Sequence, residues 1–201
     1  FRCLDHHPRV GARVAGLYLA LVSTLAWRLF HTARVAERVR ETPISENGFM
    51  GVAVGAAMTG LKPVVEIMFM DFLLLAADQL VNHAAKLHYI YDGQVNVPLV
   101  VRAPAGAGRG YGASHSQNLE SLFLSAPGLK VVVPSNPFDA KGLLLAAIRD
   151  PNPVLFVEPK SLYGKRGEVP GGHYEVPIGK AHFAREGADL SIVTYGSGVS
   201  A

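Results

Sequence analysis

Four short apolar runs, regularly separated, constrain the fold of this chain more than any other feature. They are "KPVVEIMF" (62–69), "VPLVVRAP" (97–104), "LKVVVPS" (129–135) and "PVLFVEP" (153–159). Helical patterns lie between them, notably 72–91 and 136–150, and a shorter one at "SLFLSAPG". Continuous apolar strands that alternate with helices are typical of a parallel sheet buried on both faces. The sequence therefore predicts an α/β fold, a doubly wound and mainly parallel sheet with helices on both faces.

The helix predicted before the first strand carries an unusual carboxylate. "ENGFMGVAVGAAMTG" (46–60) consists almost wholly of small and apolar residues, with Ser45 as the predicted N-cap. A helix that is apolar on every side is expected to be buried. An ionised carboxylate at its start, Glu46, costs roughly several kcal/mol unless something pairs with it or uses it. Glu46 is therefore either a carboxylate favoured by the helix dipole or a functional acid.

The polar residues of the stretch 72–91 follow a helical spacing. Asp78, Asn82 and Lys86 recur at every fourth position. Residues four apart share one side of a helix, so this spacing predicts a wetter face.

The net charge of +3 does not describe most of the chain. Residues 1–40 hold seven Arg and two acidic residues, which leaves 12 basic and 14 acidic residues scattered over the remainder. A nucleic-acid surface needs clustered Lys and Arg, so nucleic-acid binding is disfavoured. The single cysteine, Cys3, excludes an internal disulfide and a Cys/His metal cluster.

Changes in composition divide the chain into four predicted parts. Residues 1–36 form an atypical Arg-rich segment that we leave unassigned, because a signal-peptide core, a transit peptide and a damaged start all agree with it. Its uncharged run 14–27 is too short for a membrane span, and no membrane association is expected. The other parts are a core domain, a linker and the start of a truncated further domain (37–158, 159–187 and 188–201). In the last part, "LSIVTYGSGVSA" predicts a strand and a turn.

Common catalytic motifs do not fit the glycine-rich loop "AGAGRGYGASHSQ" (105–117). Its alternating glycines admit no G-x-G-x-x-G, and the chain has neither a G-x-x-x-x-G-K-[ST] nor a G-x-S-x-G motif. His83 and His88 are five apart, on different faces of a helix, so they do not indicate a shared metal. Glu46 and His115 both lie beside expected carboxyl ends of strands, where open α/β sheets bind ligands. On spacing alone, purely structural roles stay open for both.

Several segments, taken in order, resemble one known family: the β subunit of the thiamine-diphosphate-dependent first component of 2-oxo acid dehydrogenase complexes (pyruvate, branched-chain or acetoin type). They are "RVRETPISENGFMGVAVGAAMTGLKPVVEIMFMDF", "ADQLVNHAAK", "GASHSQNLESLFLSAPGLKVVVPSNPFDAKGLLLAAIRDPNPVLFVEPKSLY" and "DLSIVTYGSGVS". The resemblance implies a transketolase-type pyrimidine-binding domain over 37–158. Its cofactor, thiamine diphosphate, would lie between this subunit and an α subunit.

The resemblance also implies roles for five residues. The family's glutamate falls on Glu46, which would hydrogen-bond a ring nitrogen of the cofactor's aminopyrimidine and promote removal of the thiazolium proton. Its histidine falls on His115, which would stabilise or protonate the intermediate as the acyl group passes to a lipoyl arm. Phe72 falls where a ring stacks on the aminopyrimidine, and Ile44 and Met68 fall where apolar side chains pack on the cofactor.

Ions and partners are implied in the same way. A structural potassium ion is expected on mainly backbone oxygens, which suit a hard cation. The residues that correspond to its ligands are Leu99, Ala147, Ile148, Asp150 and Asn152. Magnesium and the diphosphate are expected on the α subunit of an α2β2 heterotetramer. The lipoyl domain and the acyltransferase core of the complex are further expected partners.

The implied reaction is the oxidative decarboxylation of pyruvate or a related 2-oxo acid, with acyl transfer to lipoamide. It would take place in the cytoplasm of a bacterium, or in the mitochondrial matrix or plastid of a eukaryote. One alternative is a transketolase-like ketol transferase, which is disfavoured because such chains fuse both cofactor halves. The other is a catalytically inert fragment that only binds a partner, which the atypical residues 1–36 would support.

Overall fold

The centre of the fold is a four-stranded parallel sheet. The computed structural model describes residues 38–200. Within them the strands are β1 (Val64–Glu66), β2 (Val100–Ala105), β3 (Lys130–Val132) and β4 (Val154–Pro159). Their spatial order is β1-β2-β4-β3, and all neighbours run parallel. The four strands predicted between residues 62 and 159 and the α/β fold are confirmed, although β1 and β3 are shorter than predicted.

Helices cover both faces of this sheet. The α-helices are α1 (Glu46–Met58), α2 (Leu87–Ile90), α3 (Glu120–Leu124) and α4 (Pro137–Arg149). Side chains alternate along the inner strands, so that Val101 and Leu155 join the larger apolar cluster with α1, whereas Val100 and Val154 join the smaller cluster with α4. The doubly wound arrangement is therefore confirmed. No helix within residues 38–200 has the length and apolar character needed to cross a membrane.

The start and the outer side of α1 differ from the prediction. Ser45 precedes the helix, but its side chain makes no capping hydrogen bond. Met50 and Ala57 are buried, yet Val52 is 75% exposed, so the expectation that α1 is buried on every side is wrong. The described chain supplies an apolar layer on one side of α1 only, which leaves an apolar surface on the other.

The predicted helix 136–150 is confirmed as α4. Asn136 caps it, since its side chain accepts a hydrogen bond from the Asp139 N–H at 2.8 Å, and Pro137 occupies its first turn.

The predicted helix 72–91 is a helical segment with three hydrogen-bond patterns. A 3₁₀-helix (Met70–Ala76) is followed by a π-helix (Asp78–Ala84) and then by α2. The predicted polar face is confirmed, because Asn82 donates to Asp78 Oδ1 at 2.8 Å and Lys86 donates to Asn82 Oδ1 at 3.0 Å. The type of helix was not predictable from this spacing.

The residues after β4 form little regular structure. Two 3₁₀ turns occur, at Lys160–Leu162 and Gly196–Ser200. The predicted linker docks on α4, where the Val176 N–H donates to the Gly142 carbonyl at 3.2 Å. A methyl group on Gly142 would approach Val176 to 2.5 Å, so only glycine admits this close packing.

The strand predicted in "LSIVTYGSGVSA" is not formed in the described part of the chain. Ile192 and Val193 are 79% and 97% exposed. A strand forms only when its backbone groups pair with a neighbouring strand, and no strand of the described sheet pairs with these residues. The boundaries of the linker and of the further domain stay predictions. The predictions made for residues 1–36 lie outside the described residues.

Candidate active site

An aromatic cluster forms where β1 and β2 end. Phe69 and Phe72 follow β1, and His115 follows β2 in the 3₁₀ turn Ala113–His115. The centroid of the His115 ring lies 4.9 Å from that of Phe69 and 5.2 Å from that of Phe72, both edge to face. Parallel strands end at one edge of a sheet, so the loops after them meet there. The structure thus brings together Phe72 and His115, two residues singled out from the sequence.

Phe69 holds this cluster with a strained backbone. Its φ of 154° lies in a region that residues other than glycine rarely adopt. The bend turns the chain from β1 into the 3₁₀-helix, where the Phe72 N–H donates to the Phe69 carbonyl at 3.0 Å. Strain of this kind costs about 1–3 kcal/mol and persists mainly at binding and catalytic sites.

Lys160 brings a buried positive charge to the cluster from the end of β4. The residue is 3% exposed. Its ammonium lies 4.8 Å from the ring centroid of Phe69 and 5.2 Å from that of Tyr111, and it donates to the main-chain carbonyl of His115. Burial lowers the pKa of Lys160, and the charge of Asp71 offsets part of that change. Loops from three strands therefore converge on this site.

Asp71 anchors the same loop from the 3₁₀-helix. The residue is 8% exposed, and its Oδ1 accepts from the Gln117 main-chain N–H at 3.3 Å and from the Gln117 side-chain amide at 2.9 Å. Its Oδ2 is buried without a hydrogen-bond partner among the described residues. An unpaired buried carboxylate oxygen is costly, so its charge needs compensation from groups nearby.

A second charged network crosses β1, β2 and β4. Arg102 Nε donates to Glu158 Oε1 at 2.7 Å, and Arg102 Nη1 lies 3.6 Å from Glu66 Oε2. The Tyr163 hydroxyl donates to Glu158 Oε2 at 2.8 Å. Burial, together with the Glu158 carboxylate, raises the pKa of Tyr163. Burial raises the pKa of Glu66, against an opposing contribution from Arg102.

Glu46 is the first residue of α1 and is partly buried. Among the described residues its carboxylate makes no hydrogen bond or ion pair. α1 packs on the 3₁₀-helix Met70–Ala76, which also carries Phe72. Ile44 and Met68 are 94% and 53% exposed. These predicted contact residues are therefore open to a ligand or to another chain.

The residues predicted for a potassium ion lie at the opposite end of the strands. Leu99 directly precedes β2, and its carbonyl accepts from the Val154 N–H at 2.8 Å. Ala147 is close to the end of α4, and its carbonyl accepts from the Asp150 N–H at 3.3 Å. Asp150 Oδ1 accepts from the Asn152 N–H at 2.9 Å. No cluster of three or more His, Cys, Asp or Glu ligands occurs in residues 38–200.

Sequence reasoning missed several residues of the site. They are Phe69, Asp71, Tyr111, Gln117 and Lys160. Their positions at or after the carboxyl ends of predicted strands were a usable signal, because that is where ligand sites form in parallel sheets. Nothing local in the sequence indicated that the lysine would be buried.

Comparison with known proteins shows which family this is. Residues 11–166 match the family described as "Transketolase, pyrimidine binding domain". The "Acetoin:2,6-dichlorophenolindophenol oxidoreductase subunit beta" of Cupriavidus necator is 51% identical over 164 residues, 82% of this chain and 48% of its own length. The "Pyruvate dehydrogenase E1 component subunit beta" of Gracilaria tenuistipitata var. liui is 52% identical over 158 residues, 79% of this chain and 49% of its own. The "2-oxoisovalerate dehydrogenase subunit beta" of Bacillus subtilis is 49% identical over 161 residues, which are 80% of this chain and 49% of its own length.

A solved structure agrees with these matches. It is titled "Split gene transketolase, inactive beta4 tetramer", with a TM-score of 0.55 and 27% identity over 81% of this chain and 50% of that one. The chain spans about half the length of the curated relatives it matches. The resemblance indicated by the sequence and the transketolase-type fold are thus confirmed. The chain belongs to the transketolase pyrimidine-binding domain family.

Proposed function

We propose that this chain supplies the β-subunit half of a thiamine-diphosphate active site in the first component of a 2-oxo acid dehydrogenase complex. The complex would oxidatively decarboxylate pyruvate or a related 2-oxo acid and pass the acyl group to lipoamide. The observation that carries the proposal is the packing of His115 against Phe69 and Phe72, where β1 and β2 end. Relatives named as β subunits of pyruvate, acetoin and 2-oxoisovalerate enzymes support it.

Four side chains of this chain have the chemistry that an aminopyrimidine requires. Phe72 offers an aromatic ring for stacking, and Ile44 and Met68 offer exposed apolar side chains. Glu46 offers a carboxylate without a partner among the described residues, at the start of an apolar helix. Its hydrogen bond to a ring nitrogen would be strengthened where the bound cofactor and a partner subunit exclude water. The bound cofactor supplies the electron sink for the loss of carbon dioxide.

Two residues of this chain would handle protons. Glu46 would share a proton with the ring nitrogen of the aminopyrimidine and so promote removal of the thiazolium proton. His115 would donate to the substrate oxygen as the acyl group passes to the lipoyl arm. Its Nδ1 lies 2.9 Å from Ser114 Oγ. Its Nε2 makes no hydrogen bond with the described residues and is available for this role.

Exposed apolar side chains indicate a surface that a partner subunit would cover. Ile44, Val52 and Leu75 are 94%, 75% and 58% exposed, on or beside the elements that carry Glu46 and Phe72. An apolar surface of this kind is typical of an interface. We assign it to an α subunit that holds magnesium and the diphosphate in an α2β2 heterotetramer. The lipoyl domain and the acyltransferase core are the further partners, in a bacterial cytoplasm or a plastid.

A structural potassium ion is part of the same proposal. The ligands would be oxygens of Leu99, Ala147, Ile148, Asp150 and Asn152. The Ala147 carbonyl accepts from the Asp150 N–H, but no hydrogen bond among the described residues reaches the Ile148 carbonyl, which supports this assignment. The thermal midpoint should rise with potassium chloride and not with lithium chloride at equal ionic strength. Equal midpoints in the two salts would contradict the assignment.

Co-expression with an α subunit tests the catalytic proposal. The mixture should release carbon dioxide from a 2-oxo acid, and Glu46→Gln should slow that release by roughly 10²–10⁴-fold. Glu41→Gln, an exposed glutamate five positions earlier, is the matched control and should leave the rate unchanged. Decarboxylation that survives Glu46→Gln would contradict the assigned role. Mixtures that never decarboxylate would favour an inert partner-binding module.

A second substitution separates the two half-reactions. His115→Ala should impair acyl transfer to lipoamide more than decarboxylation, because His115 acts where the acyl group leaves. Both steps are measured on the same preparation, with an artificial electron acceptor for the first. Equal losses in the two assays would contradict the role of His115.

The structural comparison removes the main argument against one alternative, the transketolase-like ketol transferase. The transketolase whose fold matches comes from a split gene, so the argument that ketol transferases fuse both cofactor halves fails. Transfer of a two-carbon unit between sugar phosphates, without release of carbon dioxide from 2-oxo acids, would favour that alternative.

A further inference from the structure

Few contacts within its own loop set the orientation of His115. Gly106, Gly108, Gly110 and Gly112 precede it, all with positive φ, in a conformation that glycine adopts easily and leaves easily. The one described hydrogen bond of the imidazole goes to its neighbour Ser114. The ring otherwise only packs edge to face on two phenylalanines. Within the loop, the segment 115–117 is otherwise held only by main-chain hydrogen bonds, from the Gly106 N–H to the Gln117 carbonyl at 3.1 Å and from the His115 N–H to the Gly112 carbonyl at 3.5 Å. Contacts from outside the loop add to these two.

Two buried charged residues, far away in sequence, provide these contacts. Lys160 donates to the carbonyl of His115, and Asp71 accepts twice from Gln117, so each residue binds one end of the segment 115–117. The ammonium meets a carbonyl oxygen and the carboxylate meets N–H groups. Both contacts therefore follow the polarity of the peptide groups, and charged partners make such hydrogen bonds shorter and stronger.

Neither charge has a direct ionic partner among the described residues. Lys160 is 3% exposed, and its ammonium lies over the rings of Phe69 and Tyr111, with no carboxylate within salt-bridge distance. Asp71 is 8% exposed, with one oxygen unpartnered. An isolated buried charge is costly, so each residue depends on the other for compensation across the segment. The influence of Asp71 on the pKa of Lys160 agrees with this dependence.

We propose that Asp71 and Lys160 act together as positioning residues, a buried charge pair that fixes the segment 115–117 and thereby the imidazole of His115. The functional consequence rests on the proposed role of His115 in acyl transfer. The positioning itself does not, because it concerns the conformation of this chain alone.

The test reads the position of the ring directly. The His115 ring protons lie close to the rings of Phe69 and Phe72, whose ring currents shift their NMR resonances. In the full chain, the His115 signal is assigned among eight histidines by its loss in His115→Gln. Amide hydrogen exchange of residues 113–117 is measured on the same samples. Neither readout requires cofactor or activity.

Lys160→Met and Asp71→Asn should each move the His115 signal toward the chemical shift of an exposed histidine. Each should also speed amide exchange of residues 113–117 roughly tenfold or more, because each removes a charge-assisted hydrogen bond that holds the segment 115–117. Lys160→Arg keeps the charge and should restore part of the shift. The matched control is Lys141→Met. Lys141 also donates to main-chain carbonyls and lies 4.9 Å from the centroid of a tyrosine ring, Tyr174, but on α4 away from the loop.

Gln117→Ala covers the case in which a buried charge variant does not fold. Gln117 is exposed, and its truncation removes one Asp71 contact without leaving a new buried charge, so the His115 signal should move part of the way. The double variant Asp71→Asn/Lys160→Met should speed exchange by less than the product of the single effects. An unmoved His115 signal in the folded single variants, or movement equal to that of Lys141→Met, overturns the proposal.

Activity separates this proposal from the proposed function. With an α subunit, Lys160→Met should lower acyl transfer more than substrate binding, so that kcat falls while KM stays near its original value. If His115→Ala leaves both half-reactions intact, the proposed function fails while the NMR result still stands. If His115 matters but its signal does not move in the anchor variants, only the positioning proposal fails.

Discussion

Replacing Glu158 by glutamine should destabilise the fold by about 3 kcal/mol, because the change removes the main anion from a buried guanidinium. The side chains of Arg102 and Glu158 are 9% and 2% exposed and form a 2.7 Å hydrogen bond. Breaking one partner of a buried ion pair costs about 3–5 kcal/mol, since the other charge is left without compensation. Glu66 remains 3.6 Å from Arg102, which places the expected value at the lower end.

Urea denaturation measures this cost. The midpoint of Glu158→Gln should fall with an unchanged m-value, and the thermal midpoint should drop by roughly 6–12 °C for a chain of this size. Glu66→Gln is the matched control. Its carboxylate is 31% exposed, and burial already raises its pKa, so neutralising it should cost less than about 1 kcal/mol.

The reasoning would be refuted if Glu158→Gln cost less than about 1 kcal/mol, or no more than Glu66→Gln. Adding Arg102→Met to Glu158→Gln should recover part of the lost stability, since the orphaned charge is then removed. A double variant less stable than Glu158→Gln alone would mean that packing of the arginine stem, and not charge, dominates at this position.

Three further predictions concern single positions. In thermal unfolding, Gly128→Ala should lower the free energy of unfolding by roughly 1–3 kcal/mol more than Gly60→Ala does. Both glycines have a positive φ (+89° and +92°), but only at Gly128 would the added methyl group meet a backbone oxygen, that of Ala85 at 1.9 Å. Asn136→Ala should cost about 1 kcal/mol by loss of the α4 cap, and no measurable loss in urea titration would contradict the assigned cap. The raised pKa of Tyr163 favours its protonated form in the folded state, so its stabilisation is complete below pH 10.0 and declines above it by up to about 1.4 kcal/mol per pH unit. Tyr163→Phe should reduce that slope, and an unchanged pH profile would refute the assignment.

The strands were predictable because each inner strand is buried on both faces and reads as a continuous apolar run. β2 and β4 were found within three residues of their observed limits for this reason. Glu46 was predictable as a candidate because a carboxylate at the edge of an apolar helix is anomalous in any fold. The exposure of the outer side of α1 was not predictable, because an apolar sequence does not show which of its side chains pack against the sheet.

Lys160 and Asp71 show why the rest of the site could not be predicted. Their contacts with the loop join residues 45 and 46 positions apart. Locally, "EPKSLYG" is typical of a solvated turn after a strand, and a lysine there is expected to be exposed. Its burial follows from the strained Phe69 and from Tyr111, which reach it from two other loops. Only the assembled sheet brings these residues together.

The helical segment after β1 has a consequence for tolerance of changes in chain length. Its buried apolar residues recur every third position in the 3₁₀ part and every fourth in the π part (70, 73, 76, 80 and 84). The 3₁₀ part has fewer residues per turn than an α-helix, and the π part has more. The two differences offset each other, so the total rotation from one end of the segment to the other matches that of an α-helix of equal length. A single-residue deletion within Asp78–Ala84 would relax the wide turn to an α-turn and keep the phase of both flanks. The same deletion within Met70–Ala76 would rotate Phe72 away from His115.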